Sequence, residues 1–152
     1  MPVVWSEDLN TGIDVIDSQH QRIVDYINQL EKHMHGGDRD AIKGVLLDLV
    51  DYTQSHFTFE ESLQEEAGYR YAKPHQRVHQ LFIRRINEYC DRFDLGQDIA
   101  EELHQVLVTW LLNHIRRDDQ DYVGAVKENM LKVIRRNEER SGSGWLRRFF
   151  SL

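Results

Sequence analysis

Several things are scarce in this chain of 152 residues. Cysteine occurs once, at Cys90, so no disulfide can close within the chain, which fits a reducing compartment, the cytoplasm. Proline occurs only at Pro2 and Pro74, leaving long stretches free to form helices. No apolar run reaches the ~18 residues of a spanning helix. The N-terminus lacks the basic and apolar regions of a signal peptide. Positive charge is in deficit: 19 Lys and Arg against 26 Asp and Glu leave a net charge of −7. That balance disfavours nucleic-acid phosphates, and no nucleic-acid partner is expected. Strand-period alternation never persists. The length suits one domain, which at this size buries roughly 68–70% of its unfolded surface without staples.

What is present is helical periodicity. Residues 1 to 15 read as an extended arm anchored by Trp5 and Ile13. A first helix, capped by Asp14 or Asp17, carries the apolar stripe Ile16, Ile23, Val24, Ile27 and Leu30, with His20 on it. It stops at Gly36-Gly37. A second helix opens at Asp38 and runs to Glu66, with the stripe Ile42, Leu46, Leu49, Thr53, His56, Glu60 and Leu63. A third begins at Pro74, where a missing N–H costs nothing, with His75, Val78, His79, Phe82, Ile83, Ile86 and Phe93 on its stripe. Cys90 falls near that stripe and reads as a small buried hydrophobe. A fourth begins near Asp98 with Ile99, Leu103, Val106, Leu107, Trp110 and His114. Its pattern breaks at residues 116–119 and resumes through Tyr122, Val123, Val126, Met130 and Ile134. Long helices with short connections predict an all-α, antiparallel up-down-up-down four-helix bundle over 1–140, with an N-terminal arm. Residues 141–152 read as a Ser-Gly linker and a C-terminal tail, Trp145 to Leu152. The two arginines among aromatics in 145–152 fit a membrane-surface or protein contact.

Six polar residues lie on apolar stripes: His20, His56, Glu60, His75, His79 and His114. Burying such groups costs a few kcal/mol each, roughly, unless they are paired or bind a metal. Residues at i and i+4 share a helix face, so His56 with Glu60, and His75 with His79, point the same way. Every helix thus offers a ligand-type side chain to the interior. Imidazole and carboxylate without thiolate suit iron, zinc, copper or nickel rather than calcium or magnesium. Five imidazoles exceed a closed tetrahedral zinc site of four ligands and suit two metals bridged by carboxylate. His33 and His35 read as solvated, and His104 as a surface residue one step off its stripe.

These motifs carry a resemblance. Trp5, the run Gly12-Ile13-Asp14-Val15-Ile16-Asp17-Ser18-Gln19-His20, and the run from His56 to Glu61 come first. His75 to His79 with Phe82, and Trp110 to Ile115 with Asp119 and Tyr122, follow in order. Over residues 4–135 the chain resembles the hemerythrin family, of the bacterial single-domain type. The resemblance implies two non-heme irons. His75, His79 and His114 would hold one, His20 and His56 the other, with Glu60, Asp119 and an oxo or hydroxo oxygen as bridges. The second iron would keep an open position for O2, or for NO or another small anion. Asp119 is not readable from periodicity: five residues on from His114 is about 140° off its helical face at ~100° per residue. Only an interrupted or bulged helix brings both to one cluster, and Asp118 at i+4 is the simpler candidate by geometry alone. Val78 stands where many relatives carry Glu, and Gln64 where many carry Met.

The expected function is reversible O2 binding, as a carrier, a store or a source for oxidases. Neutral imidazoles supply less anionic donation than Glu-rich di-iron sites, which favours binding O2 over cleaving it, so the chain is not expected to be an enzyme. The other readings are an O2, NO or redox sensor acting through a partner, a di-iron enzyme consuming peroxide or NO, and iron handling. A monomer is expected.

Overall fold

The computed structural model describes residues 1–141, and these form an antiparallel up-down-up-down four-helix bundle. Helix α1 spans Asp14–Gly36, α2 Arg39–Glu66 and α3 Ala72–Asp94. The fourth rod is composite: α4 (Ala100–His114), a π turn (Ile115–Asp119) and α5 (Gln120–Ser141). The resumed periodicity is therefore a continuation of the fourth helix, and it runs to the first residue of the expected linker. The tail 145–152 lies outside the described residues. No helix among the described residues is long and apolar enough to cross a membrane.

Local chemistry accounts for most of the helix ends. Asp38 caps α2, its carboxylate accepting from the Ala41 N–H. Asp14 does not cap α1, whose N-cap is Ile13, and Asp17 lies inside the helix. The Asp17 carboxylate instead reaches back to accept from Thr11 N–H, Thr11 Oγ1–H and Gly12 N–H, closing the turn before the helix. That turn needs Gly12, which sits at φ +77. Helix α3 starts two residues ahead of Pro74, which still falls in the first turn, where no N–H is needed.

The interior is layered. A large apolar core takes Ile23, Ile27 and Leu30 from α1, Ile42, Leu46 and Leu49 from α2, Phe82, Ile86 and Phe93 from α3, and Leu103, Leu107 and Leu111 from α4. Each such side chain contributes roughly 1.5–3 kcal/mol on full burial. A smaller cluster gathers Ile13, Ile16, Tyr122 and Val126 at the other side. Along α1 the order is Ile16, His20, Ile23, and along the fourth rod it is Ile115, Asp119, Tyr122. The polar residues thus form a layer between two apolar ones.

The stripes differ from expectation at their margins. Gln64 rather than Leu63 is buried on α2, Tyr89 joins the buried face of α3, and Leu111 that of α4. Val78, Ile83, Cys90, Val106 and Trp110 are only half-buried. The stripe drifts because 3.6 residues per turn do not repeat evenly over helices this long.

The arm is strapped to the bundle. Val3 and Asn28 exchange two hydrogen bonds of 2.8 and 3.0 Å. Asp8 pairs with Arg116 at 2.6 Å, and Gln120 donates to the Asn10 carbonyl at 3.0 Å. The last two contacts hold the arm against the π turn.

Candidate metal centre

All seven residues singled out above meet in one buried layer. His20, His56, Glu60, His75, His79, His114 and Asp119 are each at most 6% exposed. Ligand atoms of Glu60, His75, His79, His114 and Asp119 lie within 4.8 Å of one another, and so do those of His20, His56 and Glu60.

The two carboxylates face both ways. Glu60 Oε1 lies 3.0 Å from His75 Nε2 and 3.2 Å from His79 Nε2, while its Oε2 lies 3.1 Å from His56 Nε2. Asp119 Oδ1 lies 3.2 Å from His75 Nε2 and 3.1 Å from His114 Nε2, while its Oδ2 lies 3.1 Å from His20 Nε2. Each acid therefore turns one oxygen toward the α3–α4 histidines and the other toward those of α1 and α2. Tyr122 donates from its hydroxyl to Glu60 Oε2 at 3.0 Å.

The outer ring nitrogens set the tautomers. His79 Nδ1 lies 2.9 Å from Glu61, His114 Nδ1 2.7 Å from Asp118, and His56 Nδ1 2.6 Å from the Gln19 amide oxygen. Those oxygens accept only, so each Nδ1–H donates and each neutral ring presents an Nε2 lone pair inward. His79 Nε2 and His114 Nε2 then face each other at 3.0 Å, each also within 3.2 Å of a bridging-type carboxylate oxygen, so ring nitrogens and carboxylate oxygens crowd one small space. Both ring nitrogens of His20 and both oxygens of Asp119 are buried without a hydrogen bond of acceptable geometry. Buried polar atoms left unmatched in this number call for a cation. The donor set fits non-heme iron: imidazole and carboxylate, no thiolate, with more ligands than one tetrahedral ion takes.

Electrostatics give the same answer. In the bare chain burial lowers the proton affinity of His20, His75 and His114, but the close carboxylates of Asp119 and Glu60 outweigh it and push all three to about 9. Burial alone would raise Glu60 and Asp119, yet the surrounding imidazoles hold both carboxyls well below the usual range. His56 is lowered by burial. The layer needs positive charge, from protons or from metal, and metal binding displaces those protons.

The π turn explains how Asp119 arrives. One extra residue per turn between His114 and Asp119 rotates the carboxylate into the layer, where it is fully buried. Asp118 takes the i+4 position and grips the outer edge of His114 instead. Both candidates thus touch the cluster, in different places. Gln19, Glu61 and Asp118 act on histidines across or along helices, and only Asp118 carried a spacing signal. His33 and His35 lie away from the layer, and His104 is half-buried rather than on the surface, with Nε2 3.9 Å from Glu31. Phe57 stacks on His79 at 3.7 Å and 3°, and Trp110 on His114 at 4.5 Å and 16°. Phe59, two residues on from Phe57, is exposed.

The chain is similar to known proteins in sequence and fold. Residues 11–126 match the pattern of the hemerythrin HHE cation-binding domain. The chain is 50% identical over 146 residues to a bacteriohemerythrin of Pseudomonas aeruginosa, covering 96% of this chain and 94% of that one. A bacteriohemerythrin of Stenotrophomonas maltophilia is 49% identical, with 97% of each chain covered. Myohemerythrin-1 of Phascolopsis gouldii is 27% identical over 81% of this chain and 93% of its own. A crystal structure of wild-type hemerythrin superposes with a TM-score of 0.79 at 26% identity, covering 83% of this chain and 98% of that one. This chain belongs to the hemerythrin family, whose members bind O2 at a non-heme di-iron centre.

Proposed function

We propose that the protein binds O2 reversibly as a carrier or store that releases it to oxidases. We assign His75, His79 and His114 to one iron and His20 and His56 to the other, with Glu60 and Asp119 bridging. The observation that carries this reading is the two-sided presentation of both carboxylates, one oxygen to each half. His75, His79 and His114 would hold one iron with the two carboxylates, and His20 and His56 would hold the other with fewer donors, which would leave room for O2 on that side. Bound there, ferrous iron would supply the electrons that hold O2.

The chain's own residues protect and orient this chemistry. Glu61, Asp118 and Gln19 fix the rings of His79, His114 and His56 so that Nε2 points inward. Phe57, Phe82 and the half-buried Trp110 wall the α3–α4 side against water. The Tyr122 hydroxyl holds Glu60 Oε2, and burial pushes its own proton loss well above the ordinary tyrosine range, so it stays a donor. Five neutral imidazoles against two carboxylates favour binding O2 over splitting it, so we read no enzymatic role.

We place the protein in the cytoplasm as a monomer with one bundle domain over 1–140. Its single free thiol suits that compartment.

The test is metal analysis with optical spectra on protein purified with iron, reduced without air, then exposed to O2 and freed of it again. Two irons per chain, with bands that come and go with O2, support the reading. Rapid irreversible oxidation moves the assignment to a sensor or redox enzyme. Many labile irons per chain move it to iron handling.

A further inference from the structure

An apolar groove of about 170 Å³ lies where α1, α2 and α5 meet, lined by Val15, Phe59, Leu63, Met130 and Val133. Its volume suits one aromatic side chain. Phe59 stays 36% exposed at its edge, and the exposed Glu66 lines its rim. Along α5 the buried face runs on past the bundle. Val133 is half-buried and Ile134 is buried, yet neither apolar cluster among the described residues takes in either one. The smaller cluster reaches along α5 only as far as Met130. Apolar side chains sequestered beyond that point need a further cover.

The chain carries a suitable segment close by. Helix α5 ends at Ser141, and residues 142–152 follow. Val133 lies about 12 Å back along the helix from Ser141, and Met130 about 17 Å, at ~1.5 Å per residue. Past Gly142-Ser143-Gly144, an extended chain carries Trp145 about 13 Å from Ser141 and Phe149 about 26 Å. Trp145 therefore has the reach to return to Val133, and Phe149 to return to Met130. Trp145, Phe149 and Leu152 recur at helical spacing, the pattern of a segment with one apolar face. Arg147 and Arg148 lie between Trp145 and Phe149, opposite in sign to Glu66 at the rim.

We propose that residues 145–152 fold back from the end of α5 and dock in this groove, one aromatic side chain filling it and the arginines turned toward Glu66. The docked segment ties the end of the fourth rod to α1 and α2, as the N-terminal arm is tied to the π turn at the other end of the chain. Proximity favours this occupant over a bilayer. A short tether holds the segment beside the groove at an effective concentration on the order of mM. Membrane-surface recognition by charge takes clusters of about 4–8 basic residues, and residues 145–152 carry only Arg147 and Arg148. The proposal is independent of what the metal centre does.

The experiment places p-benzoylphenylalanine at position 149 of the full, iron-loaded chain. Irradiation joins the benzophenone to a neighbouring C–H bond, with methionine a favoured target, and peptide mapping finds the partner. A single-chain product linking residue 149 to Met130, Leu63 or Val133 is expected. A product of two joined chains overturns the proposal and gives the groove to a second copy. Transfer of the label to lipid in vesicles of phosphatidylglycerol and phosphatidylcholine, with loss of the link to the groove, overturns it in favour of a membrane surface. No link to the groove under any condition also overturns it. Melting temperatures give a second reading that needs no probe. Trp145→Ser/Phe149→Ser and Val133→Glu are each expected to lower the melting temperature by several degrees, and their combination by no more than the larger single loss, since both break one contact. Fully additive losses overturn the docking. Neither readout involves O2 or the oxidation state of iron, so the metal reading stands or falls separately.

Discussion

The two halves of the polar layer are built to different standards. On the α3–α4 half, His79 and His114 each donate to a carboxylate, and each ring is stacked on an aromatic. On the α1–α2 half, His56 leans on a neutral amide and His20 has no partner at Nδ1. Hydrogen bonds to charged acceptors are roughly twice as strong as neutral ones, so the first half is held more firmly. The lesson is a division of labour. Under the assignment proposed above, the firmer half would serve an iron whose ligands stay fixed, and the looser half one that takes up and releases a guest.

The largest break comes from removing the group the halves share. Glu60 faces both sets of histidines, so Glu60→Ala should empty both positions rather than one. Iron content after desalting, measured against the wild type, checks this. One tightly held iron remaining would show that the halves assemble independently.

Next in size is the wall of the firm half. Phe57 is buried and stacked on His79, and Phe57→Ala should cost about 3–5 kcal/mol through the cavity it leaves. Denaturant unfolding of the iron-loaded protein measures it. A loss below about 1 kcal/mol would mean the site collapses around the gap.

A sharper comparison pits the two supports against each other. Asp118→Ala frees His114 and Gln19→Ala frees His56. Such supports are worth about 10–100-fold in metal affinity, and the charged one should sit at the upper end and the neutral one at the lower. Chelator competition ranks the two variants. Equal losses would remove the argued difference between the halves.

A last comparison is in pH. In the iron-free chain, His20, His75 and His114 are raised from 6.5 to about 9 by Asp119 and Glu60. A raised group contributes stability that is complete below 6.5 and is lost as pH climbs to about 9. Glu60 and Asp119 are depressed, so their contribution is present above their ordinary values and fades in acid. His56, lowered by burial, works against the iron-free fold below 6.5. The iron-free protein should therefore lose melting temperature between pH 6.5 and 9, and the loaded protein should not, since metal replaces the protons. Parallel melting profiles for both forms would contradict that exchange.

Much of this was legible in the residues. His20, His56, Glu60, His75, His79 and His114 stood out because polar groups on apolar stripes are costly, and the structure places all six in the layer. Asp119 came only through family spacing, since regular periodicity turns it away from His114. The π turn that redirects it leaves no more than a broken apolar pattern in the sequence. Glu61 and Gln19 were not legible as supports, because each meets a histidine on a different helix and no spacing rule spans helices. Asp17 looked like a cap and serves as a brace for the turn at Gly12, a distinction that depends on where its side chain folds back.

The sequence by itself determined the four-rod bundle and the identity of the five imidazoles and the glutamate that meet in the layer. Periodic burial and the cost of buried polarity are local facts, readable one helix at a time. The tertiary structure alone decided which oxygen faces which half, which ring is braced by charge, and that Trp110 stacks on His114. Those are relations between helices, set by how the rods rotate and pack against one another, and no single strip of sequence contains them.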